Sequence, residues 1–180
     1  AGDVLALLRS HPDVAHEETG SAALLTRAIE RLAVRDLDVL VVNGGDGTLQ
    51  HALTEILGRR VFSRLPMIAP LRGGRTNMTA LDLGAHRDPV KGLRGLLEDA
   101  RTGRLASRIV ERPVLRIGFD RGRRVEYGMF FGVGMIRRAI GVTLDVFPEG
   151  RSQGGFGAGL VTMALVAKAA FRPGRGVLTP

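Results

Sequence analysis

Apolar positions along this chain alternate between short unbroken runs and stripes at helical spacing. Ala22, Leu25, Ala28, Ile29 and Leu32 share one face of a helix spanning Ala22 to Ala33. Asp38 to Val42 then reads as a buried strand, because Val39 to Val42 is continuously apolar. After the glycine-rich run Asn43-Gly44-Gly45-Asp46-Gly47-Thr48, helical spacing resumes from Leu49 to about Leu57 and closes at Gly58-Arg59-Arg60. Leu65 to Ala69 is a second short strand and leads into Leu71-Arg72-Gly73-Gly74-Arg75-Thr76-Asn77. Pro89 suits a first helical turn, and Val90, Leu93, Leu96 and Leu97 carry that helix towards Ala100. Strands alternating with helices predict a parallel sheet with helices around it, an α/β architecture.

The pattern changes near Gly103. Ile109, Val110, Val114, Leu115 and Ile117 have strand character, with Pro113 at an edge or bulge. Arg121-Gly122 reads as a hairpin turn and Val125 to Val133 as the returning strand. The expected division is therefore 1–105, a parallel α/β domain, and 106–180, the start of a β-rich, sandwich-like second domain. Within the latter, Gly154 to Gly159 is dense in glycine, and Leu160 to Phe171 reads as an apolar core helix.

Composition narrows the classes. The 180 residues contain no Cys and no Trp, which excludes disulfides and thiolate metal sites. One Tyr and seven Phe argue against base stacking, so nucleic acid is not an expected partner. The most apolar stretch, Gly159 to Phe171, contains Lys168 and falls short of the ~20 residues that span a bilayer. The net charge of +8 is uneven: residues 101–138 hold 10 basic and 3 acidic side chains, whereas residues 1–100 hold 12 and 13. Arg-favouring base composition would produce such a segment, and so would a face that meets anions, either lipid headgroups or nucleic acid.

The run from Asn43 to Thr48 carries the chemistry. A glycine turn between a strand and a helix lets backbone N–H groups approach an anion, and the helix start adds unpaired donors and a favourable dipole. Gly44, Gly45 and Gly47 are the expected triphosphate contacts. Asp46 would repel a phosphate; it is suited to binding Mg²⁺, orienting a hydroxyl, accepting from a ribose, or capping the helix. Thr48 suits the N-cap or a phosphate contact. The second loop, Leu71 to Asn77, is also basic and contains glycines. Arg75 suits a phosphate or plain solvent, and Asn77 a nucleotide contact or a helix cap. His11, His16, His51 and His86 lack metal-ligand spacing and read as ordinary surface or core histidines.

With two such loops, the chain resembles the diacylglycerol kinase catalytic-domain superfamily, which includes bacterial lipid kinases and sphingoid-base kinases. The family's strand, Gly-Gly-Asp-Gly-Thr and helix stand at Gly44, Gly45, Asp46, Gly47 and Thr48. Its second loop, Gly-Thr-x-Asn-Asp-x-Ala followed by Leu-Gly, is matched by Gly74, Asn77, Ala80, Leu83 and Gly84. Arg75 replaces the usual Thr, Met78 replaces the usual Asp, and the Pro normally just before the loop is displaced to Pro70. Thr19 resembles the family Thr that precedes the helix before the first loop. The resemblance covers about residues 17 to 135. It also implies an Asn-Pro-x-Ser-Gly strand and turn before Ala1, and an acidic motif with the general base after Pro180, so the chain is expected to be an internal piece of a longer protein.

The resemblance implies an ATP- and Mg²⁺-dependent lipid kinase acting on a hydroxyl of diacylglycerol or a related lipid, cytoplasmic and peripheral to the inner membrane face. Asp46 is then the candidate catalytic residue. Thr19, Gly44, Gly45, Gly47, Thr48, Gly74, Arg75, Thr76 and Asn77 are the candidate nucleotide-binding residues. Two alternatives stand beside this: a NAD kinase-like enzyme, and a non-catalytic nucleotide- or anionic-lipid-binding module, which Met78 favours.

Overall fold

The structure is a computed structural model that describes residues 2–130. The chain divides into two units, Ala1–Met129 and Phe130–Pro180, and the expected apolar helix from Leu160 to Phe171 lies outside the described residues. Elements follow in the order α1 (Gly2–Arg9), α2 (Ala22–Ala33), β1 (Val39–Gly44), α3 (Asp46–Leu53), β2 (Met67–Arg72), α4 (Met78–Asp82), α5 (Pro89–Arg101), β3 (Leu115–Phe119) and β4 (Arg124–Gly128). The class is α/β: β1 and β2 form a parallel pair, and β3 and β4 a separate antiparallel pair.

The apolar run of β1 is explained by burial on both faces, as parallel strands require. Leu40 and Val42 enter a core with Ile29 of α2, Leu49, Ala52 and Leu53 of α3, Ile56 and Phe62. Val41 points the other way, packing against Val4, Leu71 and Leu93 with the half-buried Leu8 and Leu97. The register pairs Val39 with Met67 and Gly44 with Arg72. Both glycine loops therefore leave the carboxyl ends of adjacent parallel strands, where open α/β sheets bind ligands.

The helices start and stop for identifiable reasons. Ser21 caps α2 by accepting from the Leu24 N–H at 3.3 Å. Asp88 caps α5, accepting from Val90 N–H at 2.8 Å and Lys91 N–H at 3.3 Å, with Pro89 in the first turn. Gly84, at φ +72, ends the short α4 in the left-handed region that glycine enters without steric cost. Beyond α3 the helix widens into a π turn over Thr54–Gly58. Thr54 Oγ1 there accepts from the Tyr127 N–H at 2.9 Å, and Gln50 Nε2 donates to Glu126 Oε2 at 3.2 Å, which docks β4 onto this helix.

Strand character is narrower than expected after Gly103. Leu105–Arg108 is a 3-10 turn, and Ile109 to Val114 form no strand; Pro113 lacks a ladder donor, and pairing begins at Leu115. Asp120 and Arg121, both at positive φ, build the hairpin turn with Gly122.

Candidate functional site

Gly44 ends β1 and Gly45 is the N-cap of α3, without a side-chain hydrogen bond. Asp46 and Thr48 are thus the first and third residues of α3, and neither caps it. The Thr48 side chain lies under Gly44, where a Cβ would come within 2.6 Å of the Thr48 Cβ. Gly44 is therefore obligatory for this packing. Gly47 is exposed, with nothing within 4 Å of where a Cβ would stand.

The second loop folds against the first, backbone to backbone. A Cβ on Gly74 would collide with the Gly45 Cα and lie 2.8 Å from the Gly45 N. A Cβ on Gly73 would lie 2.9 Å from the Gly44 N. The Gly73-Gly74 pair is the sequence signal for this approach, since any side chain there would part the loops.

Asn77 holds the second loop closed. Its Oδ1 accepts from the Gly74 N–H at 2.7 Å, and its Nδ2 donates to the Gly74 carbonyl at 2.7 Å. The residue is buried, at φ 53 and ψ 44, a left-handed conformation that Asn tolerates better than most. Its side chain is spent on the loop, so it does not cap α4. Asp46 does so from across the site: Oδ2 accepts from the Met78 N–H at 3.0 Å and Oδ1 from the Thr79 N–H at 2.9 Å. The capping role open to Asp46 falls on α4 rather than on its own helix. This pairing joins residues 32 and 33 positions apart and has no local sequence signal.

Asp46 and Asn77 thus meet at one site. Arg75, Thr76 and Met78 are exposed at its rim, Met78 at 50%. Thr19 is exposed and makes no hydrogen bond to either loop. It shares with Asn43 and Thr48 the lining of a groove of about 490 Å³, which runs along β1 between Leu25 and Ile29 on one side and Leu93 and Leu97 on the other.

Within residues 43–48 and 71–77 the charged side chains are Asp46, Arg72 and Arg75. With the Asp46 carboxylate already bonded to two N–H groups, the loops favour an anion. Among the described residues no group of three or more His, Asp or Glu side chains could hold a metal ion.

A family model, the diacylglycerol kinase catalytic domain, matches residues 2–107. No curated protein and no solved structure matches the chain. The matched span takes in both glycine loops and the two parallel strands that carry them, and the chain belongs to the diacylglycerol kinase catalytic domain family.

Proposed function

We propose that the chain supplies the nucleotide site of an ATP-dependent lipid kinase that transfers the γ-phosphoryl group to a hydroxyl of diacylglycerol or a related lipid. The observation that carries this reading is the contact of two glycine loops at the ends of neighbouring parallel strands, Gly45 against Gly74. Phosphoryl transfer asks the protein chiefly for positioning and charge stabilisation. The open face at Gly47 lets phosphate oxygens approach the α3 N-terminus. Arg75 provides a flexible guanidinium at the rim, suited to bidentate contact with a phosphate. ATP is the nucleotide the family implies, and a divalent cation usually accompanies it. That cation would neutralise phosphate charge; Mg²⁺ is commonly held through substrate phosphates and waters.

The test is ATP binding by titration calorimetry in magnesium, followed by transfer of labelled γ-phosphate to diacylglycerol in mixed micelles. Saturable ATP binding is expected, weakened about tenfold in Arg75→Ala, a loss of about 1.4 kcal/mol. No saturable binding would end the reading. The exposed Met78, standing at the family's Asp position, favours the non-catalytic alternative. ATP binding without any transfer by the native full-length protein would select it.

A further inference from the structure

Asp46 sits at the start of one helix and bonds the start of another. The four atoms that matter are its two carboxylate oxygens and the N–H groups of Met78 and Thr79, at 3.0 and 2.9 Å. Those N–H groups open α4, a helix of five residues whose N-cap residue makes no side-chain cap. Asn77 cannot serve, because both ends of its amide are bonded to Gly74. The α4 start would otherwise be uncapped beside a buried Thr79. A carboxylate is the side chain suited to this place: it accepts at both oxygens, and its charge meets the positive end of a helix.

The donor set around Asp46 is unlike a cation cage made by protein side chains alone. Neither loop contains a second carboxylate, and Met78 presents a thioether at the rim. Among the described residues no group of three or more acidic or His side chains could hold a metal ion. Divalent magnesium prefers carboxylate and phosphate oxygens, and a carboxylate whose two oxygens each hold an N–H is a poorer ligand. We infer that Asp46 is a positioning residue, a clamp that fixes α4 and the second glycine loop against the first, and that it is not a magnesium ligand in this protein. The consequence for nucleotide binding rests on the function proposed above. The clamp itself does not.

The 180-residue chain tests this with two readouts. Without nucleotide, the amides of Met78 and Thr79 should be protected from hydrogen exchange relative to Thr76. In Asp46→Ala that protection should fall at least about tenfold, and in Asp46→Asn, which keeps one acceptor and the side-chain volume, by less. The second readout is ATP affinity across a magnesium series and in chelator. Both variants should weaken ATP to the same degree with and without magnesium, leaving the magnesium midpoint within about twofold of the parent. Unprotected Met78 and Thr79 amides in the parent chain, or unchanged exchange in Asp46→Ala, would overturn the clamp. A magnesium midpoint raised tenfold or more in Asp46→Asn would make Asp46 a ligand. Failure of the parent chain to bind ATP would remove the nucleotide reading, and the exchange experiment would still decide the clamp.

Discussion

At Asn77 two demands meet: a left-handed backbone and a side chain that both donates and accepts. Glycine meets the first demand and alanine neither, which separates the contributions. Asn77→Gly removes the two hydrogen bonds to Gly74 but keeps the conformation accessible, and should cost about 1–3 kcal/mol of unfolding free energy. Asn77→Ala adds the left-handed penalty of about 1–2 kcal/mol. Denaturant unfolding of both variants measures the difference. Equal losses would mean that the strain is relaxed and the clasp alone matters. The residue type and the preceding Gly73-Gly74 pair made a tight loop legible in the sequence. What Asn77 and Asp46 bond to was not legible. Asn77 reaches back three residues inside an irregular loop, and Asp46 reaches 32 and 33 residues ahead, distances at which no periodicity operates.

The longer elements were legible because their burial is periodic. Ala28 and Ile29 sit inside α2, and Leu40, Val42 and Val41 divide between two cores as a parallel strand's residues should. Helix α4 was legible only as a helix following Asn77; its cap was not, since five residues cover little more than one turn and its first N–H groups are bonded by Asp46 from another helix. The π turn at Thr54 was also hidden, because Leu53, Ile56 and Leu57 read equally well as a continuing α-helix. Capping gives the element scale its own prediction. The N–H of Val90, then that of Lys91, holds the Asp88 carboxyl below the usual aspartate range. The folded value is therefore lower than the unfolded one, so the unfolded state binds more protons as pH falls. The stabilisation is complete above the unfolded value of about 4 and is lost as pH drops through the folded value. Asp88→Asn keeps a capping oxygen but cannot titrate. The stability gap between parent and variant should be widest near neutral pH and should narrow as pH falls below the unfolded value of about 4. A gap independent of pH would remove the linkage.

Across the described residues as a whole, the basic segment after Arg101 is less exposed as charge than its composition implies. Carboxylates from outside the segment reach it. Arg112 pairs with Asp82 of α4 at 3.0 Å, Arg104 and Arg108 with the buried Asp99 of α5 at 3.2 and 2.6 Å, and Arg101 with Glu98 at 3.7 Å. Arg124 pairs with Glu126 and lies over the Phe119 ring. Arg116, Arg121 and Arg123 remain, all exposed and without a carboxylate in ion-pair range among the described residues. They lie on one small antiparallel hairpin, and no described helix is long and apolar enough to cross a membrane. Attachment to a bilayer through these residues would be peripheral and electrostatic, at about 1 kcal/mol per arginine near an anionic surface. Replacing Arg116, Arg121 and Arg123 together with Gln should weaken binding to vesicles containing phosphatidylserine by roughly 100-fold, the equivalent of about 3 kcal/mol. Binding by the parent chain should fall as salt rises, because charges are screened over ~10 Å at about 0.1 M. Arg104→Gln, whose charge faces Asp99, should change vesicle binding little. Co-sedimentation with acidic and neutral vesicles across a salt series, beside a duplex DNA control, makes the measurement. Equal binding to both vesicle types would remove the electrostatic docking. Tight DNA binding without vesicle binding would transfer the three arginines to a nucleic-acid role.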